Sequence, residues 1–111
     1  MSRKVIAKDM IYIPFNEWSK KRILAGKKRA TSRYKKYGDV GSKFMVDGKV
    51  FIITSIRRMR LMMVAYNHYK DEGAENPIEF IEIWKKIHPK RGFRPNDLVY
   101  FHEFEEDSKE G

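Results

Sequence analysis

The segment FMVDGKVFIITSI, residues 44–56, constrains the fold more than any other part of the chain. Asp47 and Gly48 suit the left-handed backbone angles of a tight two-residue turn. Apolar residues stand on both sides of this pair, and β-branched residues crowd the second arm, as is typical of strands. The segment therefore predicts two antiparallel strands joined by a short turn.

Three further stretches predict helices. Asn16 stands where an N-cap is expected and is followed by a short helical pattern, which predicts a helix over residues 17–25. Asn76 is followed by a proline, the residue favoured at the first helical position, and predicts a helix over residues 77–88. The apolar residues of LMMVAYNHY, residues 61–69, recur at helical spacing. We expect three short helices.

Two additional strands are expected near the ends of the chain. MIYIPF, residues 10–15, is a short apolar run and predicts a buried strand, and LVYFHEF, residues 98–104, predicts a closing strand. A brief extended piece should end at Ser32. Strands and helices do not alternate as they do around a parallel sheet, so the fold class predicted is α+β: a small, mainly antiparallel β-barrel with flanking short helices.

Length and composition define the organisation and the expected compartment. The 111 residues suit one domain, predicted over residues 10–104, with an N-terminal segment at residues 1–9 and an acidic, frayed tail at residues 105–111. No cysteine is present, which excludes disulfides and thiolate zinc ligands. No apolar run approaches a membrane span, and MSRKVIAKDM lacks the apolar core of a signal peptide. We expect a cytoplasmic protein that does not bind membranes.

A basic stretch is the main functional signal. The formal net charge is +9, and from Ser19 to Tyr37 nine lysines and arginines occur without an acid. RNA binding needs two features together: positive charge that binds phosphates, and aromatic rings that stack on unpaired bases. A solvated helix face followed by a basic loop remains the alternative. The candidate RNA-contacting residues are Lys27, Lys28, Arg29, Thr31, Arg33, Tyr34, Lys35, Lys36, Arg57 and Arg58.

Two other kinds of site are not supported. Gly26, Lys27 and Lys28 do not form a phosphate-binding P-loop, because Lys21 occupies the position where that motif requires its first glycine. The three histidines stand far apart in the chain, without metal-ligand spacing. We therefore predict no metal and no cofactor.

Four segments resemble the ASCH (activating signal cointegrator homology) family, whose fold is PUA-like. They are ILAGKKRATSR, YGDVGSKFMV, YKDEGAENPIEFIEIWKKI and VYFHEF, and the likeness covers residues 10–104. The family marker, glycine and lysine followed by threonine and arginine, is matched by Gly26, Lys28, Thr31 and Arg33. The resemblance implies a small β-barrel with flanking helices and a cleft that holds RNA or a nucleoside-like ligand beside these residues.

The resemblance also implies an enzymatic alternative. One bacterial branch of the family hydrolyses the acetyl amide of N4-acetylcytidine with a lysine, a threonine and a glutamate. By position these correspond to Lys28, Thr31 and Glu72, although Gly73 follows the glutamate here and that branch lacks this glycine. RNA binding, amidohydrolysis of a modified nucleoside and a protein-interaction module therefore remain three alternatives.

Overall fold

The computed structural model describes residues 10–107. No helix in this part of the chain is both long and apolar enough to cross a membrane. The elements, in chain order, are α1 (Glu17–Leu24), β1 (Ala30–Arg33), β2 (Lys43–Val46), β3 (Lys49–Arg60), α2 (Leu61–Asn67), α3 (Pro77–Ile87) and β4 (Leu98–Glu106).

The four strands form one antiparallel sheet in the order β1-β4-β3-β2. The sheet curls into a half-barrel with three short helices against it, which confirms the predicted α+β class with flanking helices. β4, the last of these four strands in chain order, lies between β1 and β3, so the sheet is completed only when β4 inserts between two earlier strands. β1 forms one edge of the sheet, and this edge borders the candidate site.

The predicted hairpin is confirmed. Val46 pairs with Lys49, and the intervening Asp47 and Gly48 have φ values of 45° and 87°. Both residues are thus in the left-handed region that a two-residue turn requires. β3 is longer than predicted and continues to Arg60, because its second half pairs with β4.

The predicted helices are also confirmed, with small differences in their ends. The Asn16 side chain accepts a hydrogen bond from the Ser19 amide at 2.8 Å, and the Asn76 side chain accepts one from the Glu79 amide at 2.9 Å. Both caps satisfy amides that the first helical turn leaves unpaired. α2 ends at Asn67, two residues before the predicted end.

The predicted strand at residues 10–15 is wrong. Met10 forms an isolated parallel bridge with Lys43, and the Ile11 amide donates to the Lys43 carbonyl at 2.9 Å, but no ladder follows. Pro14 has no amide hydrogen to donate, and the cap of α1 starts two residues later. Ile13 is nevertheless buried, so the apolar run does pack against the core, as a loop.

The acidic tail begins later than predicted. β4 runs to Glu106, with Glu105 and Glu106 paired to Ile52 and Phe51, so these two residues belong to the sheet and are not frayed. The ladder continues because β3 extends alongside them. Residues 1–9 and the rest of the predicted tail, residues 108–111, lie outside the described part of the chain.

Two apolar clusters pack on opposite faces of the sheet. The first joins Val99 and Phe101 of β4 to α2 and α3, and the second joins Phe104 to β2, β3, α1 and the segment around Ile13. Because side chains alternate along a strand, Phe101 and Phe104 point to opposite faces and β4 contributes to both clusters. Phe44, fully buried, contacts the rings of Phe15, Phe51 and Phe104 in the second cluster.

Phe44→Ala should lower the free energy of unfolding by about 3–5 kcal/mol, because it removes a buried ring and leaves a cavity. Met45→Ala is the matched control, since Met45 follows Phe44 in the same strand but is 51% exposed. Its effect should stay within about 0.5 kcal/mol. Urea denaturation measures both, and equal losses would contradict the assignment of Phe44 to the core.

Candidate functional site

A cleft of about 650 Å³ lies along the outer edge of β1. Thr31 and Arg33 project from one face of this strand, whereas Ser32 and the following Tyr34 project from the other, and all four line the cleft. One side is formed by residues of the segment that leads into α1, and the other by α3. The volume falls within the range of about 300–1,000 Å³ that is typical of small-molecule sites.

The base of the cleft contains a buried ion pair. The Lys28 ammonium lies 3.0 Å from Glu72 Oε1 and also donates to the Glu72 backbone carbonyl at 3.2 Å. Ser32 Oγ donates to the other carboxylate oxygen, Oε2, at 2.6 Å. Lys28, Ser32 and Glu72 are each 5% exposed. Both oxygens of a buried carboxylate are therefore hydrogen-bonded, as burial of a charge requires.

The loop that carries Glu72 is held against β1. The amides of Arg29 and Ala30 donate to the Asp71 carbonyl at 2.6 and 2.9 Å. Gly73 has a φ of 94°, a backbone conformation that favours glycine. A Cβ at this position would lie 3.0 Å from Lys28 Cβ, so the limited space favours glycine as well. The glycine that departs from the amidohydrolase pattern is thus what lets the backbone pass so close to Lys28.

The protonation of Lys28 is set by opposing influences. Burial lowers the pKa of Lys28 below its ordinary value of 10.5 and is the largest influence. The carboxylate of Glu72 works against this shift, and the nearby Arg33 guanidinium adds to it. The lysine therefore releases its proton more readily than an exposed lysine does, while its partner favours the charged form.

Arg33 connects Thr31 to the other side of the cleft. Its Nε donates to Thr31 Oγ1 at 3.2 Å, and its Nη2 donates to the Pro14 carbonyl at 2.7 Å. The guanidinium carbon lies 5.0 Å from the ring centroid of Phe15 and 5.3 Å from that of Tyr37. Arg33 is thus held in a fixed position between two aromatic rings.

Aromatic rings line the α3 side of the cleft. The Trp84 ring lies 5.5 Å from Tyr34 and 4.3 Å from His88, measured between centroids. The Tyr34 hydroxyl donates to Asp97 Oδ2 at 2.9 Å, and Arg91 binds the same oxygen, which fixes the Tyr34 ring. Burial, together with Arg33 and Arg91, lowers the pKa of His88, so this imidazole is neutral at pH 7.

His102 supports the site from within the sheet. It is fully buried, and its Nε2 accepts from the Tyr37 amide at 3.0 Å, so the ring proton lies on Nδ1, which donates to the Thr31 carbonyl at 3.2 Å. Burial lowers the pKa of His102 and maintains this neutral form. One imidazole thereby positions both Thr31 and Tyr37.

The structure divides the predicted site residues into two groups. The cleft is lined by Lys28, Thr31, Arg33, Tyr34, Lys35 and Glu72. The remaining residues lie outside its lining, and three of them pair with acids: Arg29 with Asp71, Lys36 with Asp39, and Arg57 with Glu103. Outside the lining lie Lys27, Arg29, Lys36, Arg57 and Arg58.

Several lining residues were missed by the sequence analysis. Ser32 stands inside the family marker, but nothing in the sequence shows that its hydroxyl reaches Glu72. The apolar residues of α3 suggest burial, whereas Ile83, Trp84 and Ile87 also face the cleft. Within residues 10–107, no group of three or more histidine, aspartate or glutamate side chains is arranged to hold a metal ion.

Glu72→Gln should lower the free energy of unfolding by about 3–5 kcal/mol, because the Lys28 ammonium loses its counter-charge while remaining buried. Adding Lys28→Met to this variant should recover much of the loss. Glu82→Gln, the same substitution at an exposed site on α3, is the control, with an effect within about 0.5 kcal/mol. Thermal and urea denaturation measure the series, and equal effects of the two glutamine variants would refute a buried pair.

Comparison with solved structures identifies the fold. No family model and no curated protein matches the sequence. The chain is similar to an ASCH domain from Lactobacillus crispatus JV V101, with 20% identity, a TM-score of 0.64 and coverage of 96% of this chain and 86% of that one.

Two further structures are similar over most of this chain. Protein EF3133 from Enterococcus faecalis V583 has 17% identity and a TM-score of 0.60, with 79% of this chain and 66% of that one covered. Hypothetical protein PH0355 has 17% identity and a TM-score of 0.59, with 84% and 94% covered. The likeness that four sequence segments indicated is confirmed at the level of architecture: the chain has the fold of the ASCH domain.

Proposed function

We propose that the cleft binds one nucleotide of a single-stranded RNA, or the corresponding modified nucleoside. The observation that carries this proposal is the combination of aromatic rings and unneutralised cations around one cleft of nucleoside size. The charges of Lys28 and Glu72 offset each other, so the charges of Arg33 and Lys35 make the lining positive. Phosphate groups are attracted to such a site, and a planar base fits between its rings.

The rings provide surfaces on which a base stacks. Tyr34 and His88 pack against the buried Trp84 on one side, and Phe15 and Tyr37 flank Arg33 on the other. Base–aromatic stacking contributes about 1–3 kcal/mol per base and accepts any base. The aromatic lining thus supports recognition of a nucleobase without requiring a particular sequence.

The base of the cleft offers hydrogen-bond donors. Two N–H groups of the Lys28 ammonium go to Glu72, which leaves the third for a ligand. Thr31 Oγ1 accepts from Arg33, so its own hydroxyl hydrogen remains available. Both donors line the cleft and match a carbonyl oxygen, a group that pyrimidine bases and acylated bases carry.

Lys35→Ala should weaken binding of a fluorescein-labelled single-stranded RNA by about fivefold at ~0.1 M salt and lower the salt slope by about 0.7, because one phosphate contact is lost. Lys35 is exposed at the cleft, 5.4 Å from the Tyr37 ring, so the fold should be unaffected. Lys49→Ala, at an exposed position outside this cleft, is the control and should bind like the unaltered protein.

Fluorescence anisotropy over a salt titration measures these affinities. Equal affinity of the Lys35 and Lys49 variants, or a salt-independent affinity of the unaltered protein, would contradict RNA binding at the cleft.

A second candidate function is hydrolysis of the acyl amide of an N4-acetylcytidine-type nucleoside. The observation that favours it is that Lys28, Thr31 and Glu72 all line this cleft, with Lys28 and Glu72 in contact. Thr31, or a water that it orients, would attack the acyl carbon while the deprotonated Lys28 accepts the proton. The C–N bond then breaks as the leaving exocyclic amine takes the proton from Lys28. Acetate forms directly when water is the nucleophile, or by hydrolysis of the acyl-threonine ester when Thr31 is.

Thr31→Ala should reduce acetate release from N4-acetylcytidine at least ~100-fold, whereas Thr31→Ser should retain activity because the hydroxyl is kept. The rate should rise with pH through the pKa of Lys28, which lies below 10.5, since the neutral amine is the base. Chromatographic detection of cytidine measures turnover. An unaltered protein that binds RNA but releases no acetate would exclude the enzyme and leave the binding function intact.

A further inference from the structure

We propose that a row of side chains across the sheet, Arg33, Tyr100 and Arg58, binds the RNA strand where it leaves the cleft; we call it the exit row. The inference rests on the proposed function, because the row begins at the cleft residue Arg33. It goes further in assigning a polymeric ligand and the path that this ligand takes over the protein.

The strand register builds the row. Arg33 of β1 pairs with Tyr100 of β4, and Tyr100 pairs with Arg58 of β3. Residues directly opposite each other in antiparallel strands project from the same face, with Cβ atoms about 4.5–5.5 Å apart. Three consecutive strands therefore present one continuous line, which extends about 10 Å from the cleft edge.

The chemistry of the row suits a single-stranded nucleic acid. The Arg58 guanidinium lies 4.5 Å from the Tyr100 ring centroid, and its Nη1 donates to the Tyr100 hydroxyl at 3.3 Å. Arg58 is exposed and forms no ion pair with any residue from 10 to 107. A cation stacked on a partly exposed ring offers a phosphate contact and a flat surface to the same strand.

The immediate surroundings of the row are also basic. Arg60 and Leu98 form the next pair on this face along β3 and β4, beside the row, and Arg60 is exposed. Positive charge therefore exceeds negative charge along this face.

The neighbouring residue in the chain provides the contrast. Arg57 projects from the opposite face, where its guanidinium carbon lies 5.5 Å from the Phe101 ring and its Nη2 lies 3.6 Å from Glu103. Arg57 and Arg58 are both exposed arginines of the same strand. They differ in the face from which they project and in the Glu103 partner of Arg57, so they form a neighbouring pair for an experiment.

The test compares Arg58→Ala with Arg57→Ala on two ligands. The ligands are cytidine monophosphate, measured by calorimetry, and a fluorescein-labelled single-stranded RNA of about 10 nucleotides, measured by anisotropy. Arg58→Ala should weaken RNA binding by about fivefold at ~0.1 M salt and lower the salt slope by about 0.7, while mononucleotide affinity stays unchanged. Arg57→Ala should leave both affinities unchanged.

The possible outcomes separate this inference from the proposed function. Equal losses of RNA affinity in the two variants, or an Arg58 effect that is the same for mononucleotide and RNA, would refute the exit row. If the unaltered protein binds the mononucleotide as tightly as the RNA, the exit-row inference is refuted while the cleft proposal stands. If it binds neither, the cleft proposal itself fails.

Three additions test the role of the charge, the folding of the variants and an alternative ligand. Arg58→Lys keeps the charge without the planar guanidinium and should retain most of the salt slope. Circular dichroism should show equal unfolding midpoints for all variants. A poly-glutamate peptide that binds as tightly as the RNA, with the same Arg58 dependence, would replace RNA with an acidic protein as the partner and overturn the proposal.

Discussion

Burial of the Lys28–Glu72 pair is the constraint on which the site depends. Two charges removed from water destabilise a protein unless each finds a partner and further hydrogen bonds. Here Ser32 and the Glu72 backbone carbonyl supply those bonds, and Gly73 gives the chain the room to approach. These contacts fix the loop before α3 against β1. The position of this loop in turn sets the separation between the two sides of the cleft.

The edge position of β1 explains why one short strand supplies so much of the site. An edge strand has a free side, and here that side is occupied by a cleft instead of a further strand. Its side chains alternate between the two faces of the sheet, so Thr31 and Arg33 serve one side of the cleft while Ser32 serves the other. His102 of the adjacent strand then holds Thr31 by its backbone.

Binding and catalysis would use the same groups in different protonation states. A charged Lys28 donates to a ligand, whereas amide hydrolysis requires the neutral amine. Burial favours the neutral form and Glu72 favours the charged form. The two candidate functions therefore differ in which influence dominates, and both rely on the same arrangement of Lys28, Thr31 and Glu72 beside the aromatic lining.

The sequence by itself determined the features that depend on neighbouring residues. Local backbone preferences explain the Asp47–Gly48 turn and the Asn16 and Asn76 caps. Spacing in the sequence explains why Lys28, Thr31 and Arg33 lie together on one short stretch.

The tertiary structure alone decided the contacts between distant segments. Residues 10–15 look like a strand but lack a partner ladder, Trp84 lies beside the cleft as well as in the core, and β3 reaches Arg60 because its second half pairs with β4. The physical reason is that burial, ion pairing and strand register depend on what the folded chain places opposite a residue, and no local pattern contains that information.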